Sequence, residues 1–408
     1  MLDEASFTYD PFAREVMNNP LPFYKELRAH HRAYFIPKYD LWAFSRFDDV
    51  VELLGMGDNA LVGTDTSLPP PEALLRHNNG VIAPVAMDPL PTSNLLGAPD
   101  YEILRQAHLK PFKPRAVAAL KGQIEALANT LLDDLLPRGR FDLTLDYGGI
   151  VSAAMVCHLL DLPLGLAREV LTTVNAGTIT DPETGGLDTA TSIAGCLDII
   201  RPAVARRRAA GADGSVPAID GLINLDHYGR PLTDDEVTMQ LVCVFIGGTE
   251  TAPKVAAHGL MELANHPDQL AEVRKDLDAN VDIAIEEILR FCAPAQWFAR
   301  TAQRDVVIGG QKIAKGQRVI ALMGSAARDE AEFDQPDEFI WNRPVPRVLS
   351  FGHGQRYCIG VHLARLELRI MVREFLKRVP SYRFDMDRAI RRPSSFQWGW
   401  NSLPVIID

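Results

Sequence analysis

Apolar and polar positions change rhythm several times along the chain, and each change marks an element. Near the start, "AYFIP" and "LWAFS" (within residues 33–45) are short runs rich in aromatic and apolar side chains. They predict a pair of strands. "FDDVVELLG" follows with apolar residues three and four apart, the spacing of an amphipathic helix. "DVVIGGQKI" and "QRVIALM" (305–323) predict further strands, with a Gly-Gly turn between the first two runs. Between these ends helical periodicity dominates. Two breaks interrupt it. Residues 57–100 hold "SLPPPEALLRHNNG" and "MDPLPTSNLLGAPD", a long Pro- and Asn-rich loop of the kind that serves as a lid or binding loop. "RRRAAGADGS" (206–215) predicts a surface turn between helices. With no repeat and no shift of composition, the expectation is one unit over residues 1–408, mainly α (α+β), with a large helical part and a small β-rich part.

The longest helical pattern has its middle spoiled. "LTDDEVTMQLVCVFIGGTETAPKVAAHGLMELANHP" runs from Leu232 to Pro267. Thr233 with Glu236 makes a capping box, Asp234 and Asp235 suit the positive end of the helix dipole, and His266-Pro267 supplies the stop. Some thirty residues of helix would span ~50 Å, enough to cross the molecule. At its centre stand Gly247, Gly248 and Pro253, costing roughly 1 kcal/mol per glycine and ~3 kcal/mol for the proline. Between them lie Glu250 and Thr251, an acid and an alcohol in an apolar stretch. One reading is a kink made for packing. The other is a groove where a small ligand or water meets Glu250 and Thr251.

Composition narrows the functional classes. The chain has 408 residues and a net charge of −11, which argues against nucleic acid as a partner. Its five cysteines form no CxxC pair, as expected in a reducing compartment. No basic-then-apolar start and no long apolar run is seen, so a soluble, cytoplasmic protein without membrane attachment is expected.

One cysteine has an unusual frame. "SFGHGQRYCIG" spaces Phe351, Gly354, Arg356, Cys358 and Gly360 as FxxGxRxCxG, directly ahead of the helical pattern "VHLARLELRIMVREFLKRV". The glycines, including Gly352, allow close approach of a flat, bulky object, and a helix start favours a thiolate. A buried structural cysteine would not need such a frame. A zinc site with His353 and His362 would have only three nearby ligands. A thiolate ligand to haem iron accounts for the glycines, the arginine and the helix start together.

This loop resembles the haem-binding loop of the cytochrome P-450 family, the haem-thiolate monooxygenases. Five such identities at fixed spacing arise by chance in on the order of one chain of this length in ten thousand. "EEILR" places Glu287 and Arg290 like the family's ExxR, with Arg343 in "FIWNR" like its third partner, and "GGTET" is similar to its (A/G)Gx(D/E)T element. The resemblance implies haem b with Cys358 as axial thiolate to iron. It implies Glu250 and Thr251 as the proton-delivering pair, and Phe351, Gly352, Gly360 and Gly248 beside the haem. Arg105, Arg300 and Arg356 would hold the propionates. Tyr101 stands where many bacterial members carry a histidine; its phenol brings one hydrogen bond and no charge. Glu287, Arg290 and Arg343 would form a structural network.

The resemblance further implies a small or medium hydrophobic substrate, aromatic or terpenoid-like, lined by Cys243, Ile246, Gly247, Gln296, Trp297, Phe298 and Trp398. Arg76 and His77 in the lid loop offer an alternative anchor for a carboxylate. Without a nucleotide-binding GxGxxG, electrons for O2 would come from a separate ferredoxin with its reductase. It would dock on Lys110, Lys113, Arg115, Arg365 and Arg369. A monomer is expected. A peroxide-driven peroxygenase and a non-catalytic haem sensor or binding protein remain the alternatives.

Overall fold

The computed structural model describes residues 7–62, 90–177, 189–391 and 394–407; Arg76 and His77 lie outside them. The predicted strands "AYFIP" and "LWAFS" are β1 (Tyr34–Ile36) and β2 (Leu41–Phe44), paired antiparallel. They join β3 (Leu61–Val62), β5 (Phe298–Ala302) and β8 (Arg318–Ala321) in a sheet of order β1-β2-β8-β5-β3. The Gly-Gly turn closes a separate hairpin of β6 (Val306–Ile308) and β7 (Gln311–Ile313). Gly309 and Gly310 have φ of 54° and 83° there, backbone that glycine adopts at little cost. β4 (Arg140–Asp142), β10 (Pro404–Ile407) and β9 (Tyr382–Phe384) form a second small sheet. "FDDVVELLG" is a helix, Phe47–Gly55; the break expected over 206–215 is shorter, because Arg206, Arg207, Arg208 and Ala209 end helix Thr189–Ala209 and the next helix starts at Pro217.

Helices make the body. The long pattern is one helix of 32 residues, Asp234–Asn265, hereafter the central helix. Its capping box is complete: Thr233 Oγ1 accepts from the Glu236 amide at 3.2 Å, and Glu236 Oε2 accepts from the Thr233 amide at 2.9 Å. Arg230 pairs with Glu236 and holds that carboxyl down at about 2. The central helix packs against helices Gly149–Leu159, Thr189–Ala209 and Val361–Arg378, so most of its surface is core.

The helix runs unbroken through "GGTETAP". Its odd residues divide between the two readings the sequence left open. Gly148 lies against Pro253: a Cβ at Gly148 would sit 3.2 Å from the Pro253 Cα. A Cβ on Gly248 would come within 2.7 Å of Val156 Cγ2 on the neighbouring helix. Gly248 is therefore a close-packing residue of a helix crossing, and it is partly buried there. Gly247 is different: it is exposed, and a Cβ there would meet nothing within 4 Å.

Candidate active site

The central helix opens along one narrow stripe. Cys243, Ile246, Gly247, Gly248 and Thr251 are the less buried positions, while Leu241, Val242, Phe245, Thr249 and Ala252 are buried. Spacings of three and four put the open set on one helix face. Thr251 Oγ1 donates back to the Gly247 carbonyl at 3.3 Å, which holds the hydroxyl at the edge of that face. Cys243 Sγ donates to Asn94 Oδ1 at 2.8 Å, and burial pushes this thiol up to about 11.

Glu250 turns elsewhere. It is buried, with Oε2 3.8 Å from Lys254 Nζ, itself buried, and Oε1 accepts from Gln397 Nε2. Lys254 also donates to Gln397 Oε1. Burial lowers the Lys254 ammonium, and the Glu250 charge works against that shift. The acid beside Thr251 is thus tied to the C-terminal segment by two groups that were not singled out in the sequence. Lys254 stands one helical turn on, a spacing that could have shown it; Gln397 lay unremarked beside Trp398.

The cysteine loop is built by its glycines. Gly352 and Gly354 have φ of 71° and 70°, and a Cβ at Gly354 would meet the Leu54 carbonyl at 2.5 Å. The loop closes when the Cys358 amide donates to the Phe351 carbonyl at 2.9 Å. Helix Val361–Arg378 starts immediately after Gly360. Phe351 is buried beneath Arg365, whose guanidinium lies 4.8 Å from the ring centre. Burial raises the Cys358 thiol; the Gly360 N–H and the Arg105 and Arg365 charges oppose it without cancelling it. A metal cation beside this thiol would favour its thiolate.

The neighbouring arginines differ in what they touch. Arg356 Nε and Nη2 grip Asp58 Oδ1 and Oδ2 at 2.9 and 2.8 Å. It also donates to the carbonyls of Asn94 and Leu96, and stacks 4.1 Å above the Tyr101 ring. Arg105 donates to the Tyr101 hydroxyl at 3.0 Å and to the Tyr357 carbonyl at 2.6 Å. Tyr101 donates in turn to the Gln355 carbonyl at 3.4 Å, and burial keeps its phenol protonated by raising its pKa. Arg300 is buried, and its one hydrogen bond among the described residues goes to the Ala299 carbonyl at 2.7 Å. Among the described residues no carboxylate pairs with Arg300 or Arg105. Desolvation, helped by the Arg356 charge, lowers Arg300 to about 10.

Strand alternation sorts the aromatic stretch. Trp297 and Ala299 point into a core with Tyr9, Tyr24, Leu41 and Ile320. Phe298 and Arg300 take the other face, with the guanidinium 5.9 Å from the Phe298 ring. Side chains of adjacent residues leave a strand on opposite faces. The joint placement of Trp297 and Phe298 in a substrate wall is corrected accordingly: Trp297 is core. Gln296 is corrected too. Buried, it accepts from the Tyr24 hydroxyl at 3.0 Å and donates to the Ala293 carbonyl at 2.9 Å. Trp398 is half-buried under the Arg391 guanidinium, 4.1 Å from its ring.

Glu287, Arg290 and Arg343 do come together. Arg290 forks onto Glu287 at 2.6 and 2.8 Å, Arg343 Nε reaches the same carboxylate at 3.2 Å, and the remaining donors go to backbone carbonyls.

The chain matches the family model Cytochrome P450 over residues 197–399. It is 33% identical over 299 residues to the putative cytochrome P450 126 of Mycobacterium tuberculosis, covering 71% of each chain. It is 30% identical over 304 residues to a steroid C26-monooxygenase of the same species, covering 72% of this chain and 80% of that one. The crystal structure of P450BioI, in complex with an acyl carrier protein ligated with hexadec-9Z-enoic acid, superposes with a TM-score of 0.81 at 25% identity, over 97% of this chain. The chain belongs to the cytochrome P450 family. It is an oxidoreductase, a monooxygenase of a family that works with thiolate-ligated haem.

The residues present fit such a group. Arg300 is a buried cation awaiting an anion, Gly247 leaves one face of the central helix bare, and the cysteine loop presents one thiol between glycines. Asn94 joins these parts, since it bonds both Cys243 on the helix stripe and Arg356 in the loop.

Proposed function

We propose that this protein inserts one oxygen atom from O2 into a small or medium hydrophobic substrate, aromatic or terpenoid-like, using haem b ligated by Cys358. When bound, the haem supplies reductive activation of dioxygen, with the second oxygen atom leaving as water. The observation that carries this reading is the open stripe of the central helix, where Thr251 sits beside bare Gly247. The Thr251 hydroxyl donates its one proton to the Gly247 carbonyl, so its lone pairs can accept from a water and hold it in place, and the hydroxyl hands on a proton only by turning away from Gly247. Glu250, one residue back, is the acid that resupplies protons, held in place by Gln397 and Lys254. Cys243, Ile246 and Phe298 offer an apolar wall that excludes bulk water from the substrate. The likeness to a steroid C26-monooxygenase supports an apolar substrate.

Electrons arrive from a separate ferredoxin-type donor. Of the basic residues proposed for docking, Arg365 is paired with Glu286 at 2.7 Å and Arg369 with Asp282 at 3.1 Å. Lys110, Lys113 and Arg115 are exposed, on segments that pack against helix Val361–Arg378. They make the patch for an acidic carrier.

The test compares wild type with Thr251→Ala in a ferredoxin-driven assay. The reading expects NADH consumption to continue while product per NADH falls. Unchanged coupling in the variant would remove Thr251 from proton delivery.

A further inference from the structure

The resemblance gave three arginines to the haem carboxylates, yet in the fold one of them is already taken. Arg356 has five N–H donors, and four bonds are made: two to Asp58, one to Leu96 and one to Asn94. The Asp58 side chain is buried, and its backbone amide donates to Gln355 Oε1 at 3.0 Å, so the acid is fixed to the cysteine loop twice. The Arg356 face is covered by Tyr101. Opening this pair would strand a buried carboxylate without its charge partner, which is strongly unfavourable. Arg300 has no such partner among the described residues, and Arg105 bonds only a phenol and a carbonyl.

We propose that Asp58 withholds Arg356 from the cofactor: the Asp58–Arg356 pair stays closed in the haem-bound protein, and the haem carboxylates are received by Arg300 and Arg105. Arg356 then works as a clamp. It fastens the cysteine loop to the end of helix Phe47–Gly55 through Asp58, and to the segment before helix Asp100–His108 through Asn94 and Leu96. Two guanidinium groups with no carboxylate partner among the described residues remain for the two carboxylates of haem b. The inference rests on the haem-binding reading, and its failure is separable from that reading's failure. A purified protein that binds no haem would refute the reading, whereas the experiment below begins from protein that has bound it.

The experiment measures transfer of haem from purified ferric holoprotein to an excess of apomyoglobin. Arg300→Gln removes a charge-assisted bond to a carboxylate and is expected to speed haem loss about tenfold or more. The double variant Asp58→Asn/Arg356→Gln removes the clamp charges together and keeps a neutral hydrogen-bonding pair. It is expected to lose haem within about threefold of wild type. Any larger acceleration overturns the proposal unless the loop itself has loosened, and resonance Raman spectra resolve that case. The propionate bending bands should shift in Arg300→Gln and stay at their wild-type frequency in the double variant. A shift in the double variant shows that Arg356 touches a carboxylate, and the proposal fails.

Discussion

Two arginine clusters flank the cysteine loop, and they are built on opposite terms. Around Glu287 every charge is answered: one fully buried carboxylate takes both Arg290 and Arg343, and backbone carbonyls take the spare donors. At the other end Arg300 is also buried but has no carboxylate among the described residues. A buried charge is tolerated when it is paired and fully hydrogen-bonded. The closed cluster is therefore complete in itself and serves the fold. The open one lacks such a partner among the described residues, and on the proposed function a ligand completes it.

Breaking the closed cluster should have the largest effect. Glu287→Gln leaves two buried guanidinium groups facing a neutral amide, at ~3–5 kcal/mol. Little soluble, haem-containing protein is expected, read as holoprotein yield and as the urea midpoint of any that folds. A midpoint equal to wild type would show that the network carries no stability.

The next effect falls on the open side. Thr251→Ala should keep the fold and the haem spectrum, because the lost bond runs only to Gly247 within the same helix. Product per NADH should fall by roughly tenfold or more. Loss of haem in this variant would move Thr251 into the structural class.

Glu367 sharpens the comparison as a buried acid with no cation paired to it among the described residues. It accepts from Ser152 Oγ at 2.7 Å, and burial pushes its carboxyl up to about 8. The sign follows from proton binding: between the ordinary glutamate value and about 8 the folded state holds a proton that the unfolded state has lost. Stability therefore drains as pH rises through that window. Glu367→Gln escapes the drain, so it should be more stable than wild type at pH 8, by ~1–3 kcal/mol. The advantage should vanish near pH 4, where both states are protonated. Denaturant melts at the two pH values check this, and a gap independent of pH would contradict it.

Smallest is the surface effect. Replacing Lys110, Lys113 and Arg115 by alanine should lower kcat/KM for the reduced ferredoxin severalfold and flatten its dependence on salt. An unaltered salt slope would place the docking face elsewhere.

What could be read in advance follows how local each signal is. The capping box, the Gly-Gly hairpin and the Glu287–Arg290 pair depend on spacings of a few residues, and all three form. The Asp58–Arg356 pair joins residues 298 apart. No pattern in "GMGDNALV" hints at it, so Arg356 looked free for a cofactor. Gly247 and Gly248 are adjacent in sequence but leave a helix in different directions. Only the packing of Val156 decides which one faces open space. The error over Trp297 was avoidable: a strand with Arg300 on one face already sends Trp297 to the other. Gln397 was hidden because a glutamine in a loop carries no signal until Glu250 and Lys254 are found beside it.

The central claim is that the open cluster and the cysteine loop hold a thiolate-ligated haem. It is tested most directly by the absorption spectrum of the reduced protein under carbon monoxide, for wild type and Cys358→His. The account predicts a Soret band at the far red-shifted position of thiolate-bound iron in wild type. It predicts a band at the shorter wavelength of imidazole-bound haem in the variant. A shorter-wavelength band in freshly reduced wild type, or the same spectrum in both proteins, would contradict it.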